Sequence, residues 1–332
     1  MKIFLAGASG VIGRSLVLWL TGAGHDVTGM TGDSAATGFV RSLGARPVVV
    51  DVFDRDRLAE VIRAAHPDAV IDQLTSLRHG DYLATNRLRT EGTRNLVDAA
   101  LSAGVQTVVA QSYSLYGPGP GLADETDPLD VNSPAFGAAA KALVALEAIV
   151  SEAPHGVLLR YGTLYGPGTG YANDGAIAAQ VRRGELPTTD DVTSFLHVED
   201  SAGATVQALE WPAGPVNIVD DEPAAGTDWL PVYAAAIGAG VPPENRRVQA
   251  AGCVARQTPR HEKTTDGNPS IPAGVRDSGP RSDKPRRPVA GQPSTNGWVR
   301  IPFHPPAGAQ TQGRAIPTSP PAVRTQDQTT KP

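Results

Sequence analysis

A single cysteine, Cys253, in 332 residues excludes a disulfide framework and a cysteine-built zinc site. The seven histidines are scattered, with no pair at ligand spacing, which removes the usual sequence sign of a structural metal. No apolar run approaches the roughly 20 residues that cross a bilayer. The apolar stretch within Met1–Gly10 is interrupted by glycine before it reaches the length of a secretory leader's core. The expectation is a cytoplasmic protein with no membrane partner. Positive charge is also scarce where the motifs lie. Residues 1–240 carry 15 basic and 28 acidic side chains, a net charge of −13, and their only lysines are Lys2 and Lys141. So acidic a body argues against a nucleic-acid partner, because a phosphate backbone is held by clustered cations. Residues 241–332 reverse the balance, with 14 basic and 6 acidic side chains, but those charges are dispersed.

What is present up to about residue 240 is an alternation of strand-like and helix-like segments. Apolar strands are expected at Lys2–Ala6, Asp26–Met30, Pro47–Val50, Ala69–Asp72, Thr107–Ala110 and Gly156–Arg160, and helices at Val11–Thr21, Arg55–Ala65, Tyr82–Ala103 and Ala135–Ser151. Strands nearly continuous in Val, Ile and Leu, alternating with helices, predict an α/β fold. Its sheet would be a Rossmann-like, doubly wound parallel one covered by helices on both faces. The expected organisation is a dinucleotide-binding domain over residues 1–165. Segments of a small C-terminal substrate lobe, interleaved with the last sheet elements, would follow over 166–240. In the last 92 residues, which hold 16 of the 29 prolines, apolar periodicity stops. Residues 241–332 therefore read as a Pro/Arg-rich, low-complexity tail that buries too little apolar surface to order itself.

The segment Gly7-Ala8-Ser9-Gly10-Val11-Ile12-Gly13 joins the first strand to the first helix. Gly7 permits the tight turn, Gly10 lets a pyrophosphate approach the backbone, and Gly13 lets the helix pack closely on the sheet. The helix start then offers unpaired N–H groups and a positive dipole end to phosphates. The G-x-x-G-x-x-G spacing resembles the short-chain dehydrogenase/reductase superfamily, and further segments extend the likeness. Val50-Asp51-Val52 looks like the acidic motif that contacts adenine. Thr90-Glu91-Gly92-Thr93-Arg94-Asn95-Leu96 resembles an "x-x-G-T-x-N-L" helix, and Leu159 through Gly168 an "L-R-x-x-x-x-Y-G-P-G" segment. Phe195-Leu196-His197-Val198-Glu199-Asp200 resembles "F-x-H-V-x-D", and Pro215-Val216-Asn217-Ile218 an "x-Y-N-I" strand with Val216 in the tyrosine's place. In this order over residues 1–240 they resemble the extended (atypical) short-chain dehydrogenases of the NAD-dependent epimerase/dehydratase family. The resemblance implies a bound NAD or NADP, contacted by Gly7, Ala8, Ser9, Gly10, Val11, Ile12 and Gly13, by Thr31, Asp51, Val52 and Leu74, and by Lys141. The second strand ends at Thr31-Gly32 with Asp33 just beyond. The side chain that would choose between a ribose hydroxyl and a 2′-phosphate is not among them.

In this family a Tyr and a Lys four residues apart move a proton while hydride passes to or from the cofactor, and a Ser or Thr polarises the same oxygen. Ser112, in Gln111-Ser112-Tyr113-Ser114-Leu115-Tyr116-Gly117-Pro118, falls at the polarising position of "S-x-x-x-Y-G". Lys141 supplies the lysine, but four residues before it stands Gly137, beside Phe136. Three readings stay open: another phenol such as Tyr113 or Tyr161 reaches the site, a different acid serves, or the dinucleotide is bound without turnover. Function accordingly divides between two classes. One is an NAD(P)-dependent epimerase, dehydratase or reductase-type oxidoreductase acting on a sugar-like or small hydroxy or carbonyl substrate. The other is a non-catalytic dinucleotide-binding or redox-sensing protein.

The resemblance places Tyr165, Gly166 and the segment through Asn173 against substrate. The loop Asp124–Pro128 would lie near the mouth, where its acidity suits a nucleotide-sugar diphosphate poorly unless Arg160 or Arg182 compensates. It also implies a homodimer through the helices Tyr82–Ala103 and Ala135–Ser151, with Ala138, Ala139, Ala142 and Ala145 allowing close approach. Relatives continue past residue 240 with a strand and helix that close the lobe, and no such pattern follows Val241. Either the reading frame shifts near residues 241–260 or the tail is a genuine extension. If the frame has shifted, translating the gene in its other two frames will reveal an amphipathic strand–helix continuation; its absence from both frames would leave the extension.

Overall fold

In the computed structural model, which describes residues 1–77, 80–119 and 121–240, the aliphatic runs pair as expected. The strands are β1 (Lys2–Ala6), β2 (Asp26–Thr31), β3 (Arg46–Val49), β4 (Ala69–Asp72), β5 (Thr107–Tyr113), β6 (His155–Tyr161), β7 (Thr163–Tyr165), β8 (Val192–Thr193), β9 (Phe195–His197), β10 (Gly214–Ile218) and β11 (Ala224–Ala225). Seven form one sheet in the order β10-β6-β5-β4-β1-β2-β3, with every pair parallel. The remaining four make two small ribbons, β7 with β9 and β8 with β11. The helices are α1 (Val11–Gly22), α2 (Thr37–Ser42), α3 (Arg55–Ala65), α4 (Tyr82–Arg87), α5 (Thr93–Ser102), α6 (Gly137–Val150), α7 (Ala176–Arg182), α8 (Val198–Gln207) and α9 (Gly226–Ala236).

The period-two alternation of β1 divides the core. Ile3 and Leu5 pack with Ile12, Leu16 and Leu20 of α1 and with Val198 and Ala202 of α8. Phe4 and Ala6 face the other way, onto Leu58 and Ile62 of α3, Leu96 and Ala100 of α5, and Leu146 and Val150 of α6. Both faces are therefore dry, which is why the strands carry no polar alternation. Strand order reverses between β1 and β4, so the crevice at their carboxyl ends is where a doubly wound sheet binds its ligand. A smaller apolar cluster joins Ala178 and Val181 of α7 to Leu230, Tyr233 and Ala234 of α9. No helix among the described residues is long and apolar enough to cross a membrane. The expected tail, Cys253 included, lies outside the described residues.

Two elements differ from the sequence expectation. The helix expected over Tyr82–Ala103 runs without a break to Ser102 but carries a π-helical turn over Leu88–Gly92, between α4 and α5. Thr90 Oγ1 donates to the Asn86 carbonyl at 3.1 Å, and such hydroxyl back-bonding loosens the regular ladder. Strand β5 runs three residues past Ala110, pairing Gln111, Ser112 and Tyr113 with Leu159, Arg160 and Tyr161. Polar residues hid this extension, which the buried pair described below draws into the sheet.

Asp72 closes β4 and is buried, with 3% of its surface exposed. One carboxylate oxygen accepts from the Leu74 N–H and the other from Thr93 Oγ1, each at 3.0 Å. Burial outweighs these bonds and pushes its carboxyl from 3.8 up to about 6. The native state thus holds more protons than the unfolded chain between those values, and stability falls as pH rises through the window. Two pH units correspond to about 3 kcal/mol. Urea unfolding at pH 4 and pH 7 is therefore expected to show Asp72→Asn gaining about 2 kcal/mol on the parent protein between the two pH values; parallel pH dependence in both would refute the assignment.

Candidate active site

The loops after β1 and β4 meet at the switch point. Gly7 has φ +87, and a Cβ there would lie 2.7 Å from the Gln73 carbonyl oxygen. A Cβ on Gly13 would lie 2.1 Å from the Gly7 carbonyl oxygen, so the first turn of α1 rests on the backbone of the preceding loop with no space for a methyl. Gly10 donates to the same carbonyl at 2.9 Å and begins α1 in an extended conformation with no side-chain cap. A helix start left without a cap, in a cradle that a side chain would fill, fits the diphosphate of a dinucleotide. Ala8 is fully buried against Gly29, while Ser9 Oγ and Thr31 Oγ1 lie 3.2 Å apart and tie the loop to the end of β2. Asp51, just past β3, accepts from the Phe53 N–H at 3.0 Å. Val52 is buried against Gly92, and Leu74 follows β4. Of the residues expected to contact the cofactor, all but Lys141, which lies on α6, sit at the carboxyl ends of the four neighbouring strands β4, β1, β2 and β3. Arg14, one residue past the glycine motif, donates to the Pro167 carbonyl at 3.0 Å and links α1 to the loop after β7. A lone basic residue after Gly13 was its only signal in the sequence.

The structure separates the expected catalytic residues. Ser112 is buried and donates to Glu147 on α6 at 2.7 Å. Glu147 is the partner of Arg160, through Nε at 2.9 Å and Nη2 at 2.8 Å. Arg160 also donates to Tyr116 Oη at 2.9 Å and to the carbonyls of Glu125 and Asp127. Tyr116 in turn donates to Asn217 Oδ1 at 2.6 Å, and the Asn217 N–H donates to Glu125 at 2.7 Å. One buried network therefore absorbs Ser112, Arg160 and the acidic loop 124–128. Lys141 lies on the exposed side of α6, about a third of a turn round the helix from Glu147 at 100° per residue. The side turned inward carries Ala140 and Leu143, both fully buried beside Tyr113 and Tyr116. Gly137 is buried, and a Cβ there would lie 2.8 Å from the Val131 carbonyl oxygen. The place where the resemblance calls for a tyrosine has no room for a side chain.

Tyr113 Oη lies 2.6 Å from Thr163 Oγ1. Tyr161 is enclosed by the core, 2.5 Å from Thr205 Oγ1, and burial pushes its phenol up to about 12. Tyr165 ends β7 beside His197, with ring centres 5.1 Å apart, and Gly166, at φ +107, backs onto the same imidazole. Tyr165 donates to Asp220, whose carboxyl is pushed up to about 6, chiefly by burial and also by Asp200 and Asp221. Asn173 accepts from Arg182 through both its carbonyl and its side chain. Among the described residues no cluster of His, Cys, Asp and Glu is arranged for a metal ion.

The model of the NAD dependent epimerase/dehydratase family matches residues 3–219. A 3-diazoavenalumate denitrifying reductase from a Streptomyces species is 44% identical over 257 residues, which span 73% of this chain and 83% of that protein. The UDP-glucose 4-epimerase of Thermus thermophilus, solved with NAD, superposes with a TM-score of 0.61 at 26% identity, covering 77% of this chain and 90% of that one. The Bordetella bronchiseptica enzyme WbmH, solved with NAD+, shares the fold with a TM-score of 0.63 at 20% identity, covering 76% and 88%.

The crowding at Gly137 can be measured directly. Alanine is intrinsically favoured over glycine in a helix by about 1 kcal/mol, whereas overpacking costs roughly 1–3 kcal/mol. Chemical denaturation is expected to find Gly137→Ala no more stable than the parent and Gly137→Tyr less stable by about 2 kcal/mol. Gly137→Tyr, although it recreates the Tyr–Lys spacing, is also expected to gain no alcohol-oxidising activity. A stable, newly active Gly137→Tyr would contradict this account.

Proposed function

From its membership of the NAD-dependent epimerase/dehydratase family, which makes the chain an NAD(P)-dependent enzyme of epimerase or reductase type, we propose that it is a reductase whose acceptor needs no phenolic acid. The observation that carries this reading is the closed position at Gly137. Moving hydride to or from a carbon–oxygen centre requires a proton to leave or reach the oxygen, and a positioned phenol is worth roughly 10²–10⁴-fold to such a step. This chain has no space for that phenol, and Ser112, which would polarise the oxygen, is held by Glu147.

The glycine loop Gly7–Gly13, with Thr31, Asp51, Val52 and Leu74, would hold the dinucleotide, and residues 166–240 would close over the substrate. Bound there, the reduced nicotinamide supplies a hydride. The relative at 44% identity is named for the reductive denitrification of a diazo compound. In such a reduction hydride from the nicotinamide, with one proton from solvent where the diazo compound is neutral, gives a new bond to hydrogen as the carbon–nitrogen bond breaks and N₂ leaves, and no carbon–oxygen centre gains or loses hydride. What the residues of this chain must then do is exclude water and orient a planar acceptor. The aromatic cluster around Tyr171, Phe195 and Trp229 is suited to that task.

The test is anaerobic incubation of the purified protein with NADH or NADPH and 3-diazoavenalumate. One N₂ is expected per nicotinamide oxidised, while UDP-glucose under the same conditions stays unchanged. Conversion of UDP-glucose to its 4-epimer, with no nitrogen released from the diazo compound, would overturn the reading.

A further inference from the structure

Arg89 sits in the π-helical turn between α4 and α5, on a helix that packs against α6. Its guanidinium is near enough to the phenol of Tyr113 to interact with it electrostatically. Other arginines near the site have structural occupations. Arg160 is committed to Glu147, Arg182 to Asn173, Arg14 to the Pro167 carbonyl and Arg183 to Glu185. Arg89 has only a marginal contact with Asn86 Oδ1, at 3.5 Å, and forms no ion pair among the described residues. Burial lowers its pKa to about 10, so it remains charged at neutral pH. A half-buried cation without a counter-charge is costly in a folded chain, and a functional anion is a common remedy.

The surroundings describe that anion's carrier. Tyr113, within electrostatic reach of the guanidinium, forms a hydroxyl pair with Thr163 at 2.6 Å. The Tyr171 phenol is within electrostatic reach of that of Tyr113 and of that of Tyr82, which is 62% exposed to solvent. Beyond Tyr171 the rings of Phe195, Trp229 and Tyr233 stand edge-on to it at 5.7 to 5.8 Å. Trp229 Nε1 is buried there without a hydrogen-bond partner among the described residues, a donor that an oxygen of a bound molecule would satisfy.

We infer that Arg89, with the Tyr113–Thr163 hydroxyl pair, is the subsite for the carboxylate of the substrate, and that the substrate is a small aromatic monocarboxylate rather than a nucleotide sugar. One guanidinium fork matches one carboxylate. A sugar diphosphate would bring two or more charges to a site where Arg14, Arg160, Arg182 and Arg183 are engaged and whose lobe carries Asp200, Asp220 and Asp221 in a cluster. The inference deepens the proposed function, since it rests on this cleft being where that reaction's substrate sits.

The experiment measures binding rather than turnover, so it fails independently of the reductase reading. Calorimetry on the full chain loaded with NAD or NADP uses cinnamate, its uncharged amide cinnamamide and UDP-glucose as probes. Cinnamate is expected to bind at least about tenfold more tightly than cinnamamide, the worth of one charge-assisted hydrogen bond, and more tightly than UDP-glucose. Arg89→Gln is expected to remove the preference for the acid while leaving cinnamamide and dinucleotide binding unchanged, and Arg89→Lys to restore part of it. Equal affinity for acid and amide in the parent protein overturns the inference without needing any variant to fold. Tighter binding of UDP-glucose, or unchanged cinnamate affinity in a cofactor-competent Arg89→Gln, overturns it as well. Arg89-dependent binding of cinnamate alongside no N₂ release from 3-diazoavenalumate would sink the proposed reaction and leave the anion subsite standing.

Discussion

The site depends on the contact between Gly13 and the carbonyl of Gly7. A methyl at Gly13 would lie 2.1 Å from that oxygen, so the separation of α1 from the β1 turn is set by the lack of a Cβ at this position. With that separation fixed, the uncapped start of α1 lies at the junction of β1 and β4, where the sheet order reverses. The apolar face of α1, through Ile12, Leu16 and Leu20, then anchors the geometry to the core. Local φ freedom at Gly7, close packing at Gly13 and the burial of three aliphatic side chains are thus one constraint seen at three scales.

A second constraint decides what chemistry is left. The Arg160–Glu147 pair is almost wholly buried, with side-chain exposures of 7% and 13%, and it ties β6 to α6. Through Tyr116, Asn217 and the carbonyls of residues 125 and 127 it also tethers β10 and the loop before α6. Breaking such a pair typically costs about 3–5 kcal/mol because it strands a charge. Ser112 is a member of this network, which makes its hydroxyl part of the scaffold. The same loop brings the Val131 carbonyl over Gly137. The residues that would read as catalytic by spacing are therefore held by the packing around them.

That division explains how far the sequence could be read. The sheet was legible because aliphatic continuity in segments such as Ile3–Ala6 and Ala69–Ile71 reports burial on both faces. The glycine loop was legible because three glycines at fixed spacing have few other uses. The π-helical turn was not, because Thr90 bonds its own helix in a way that composition does not announce. Nor was the polar end of β5, since Gln111 and Ser112 look like a loop until the partner strand's Arg160 is known to be buried. Arg89 was invisible for a related reason. Among the described arginines, what distinguishes it is burial deep enough to lower its pKa with no ion pair among the described residues, a property of three-dimensional arrangement alone.

Long-range charge sharpens the point about Arg89. The first 240 residues carry a net charge of −13, and that field repels an approaching anion in proportion to the anion's charge, within the Debye length of about 8 Å at physiological salt. A multiply charged ligand meets this repulsion several times over, and where one binds, local donors such as the uncapped start of α1 must offset it. Among the described residues, Arg160, Arg182 and Arg14 are engaged in the Glu147 network, the Asn173 turn and the loop after β7. For a singly charged planar molecule the repulsion is small, and one desolvated guanidinium suffices because its hydrogen bonds act where water is excluded. The acidity of this body is thus compatible with a singly charged aromatic acid, for which Arg89, the local exception within it, would be the recognition element.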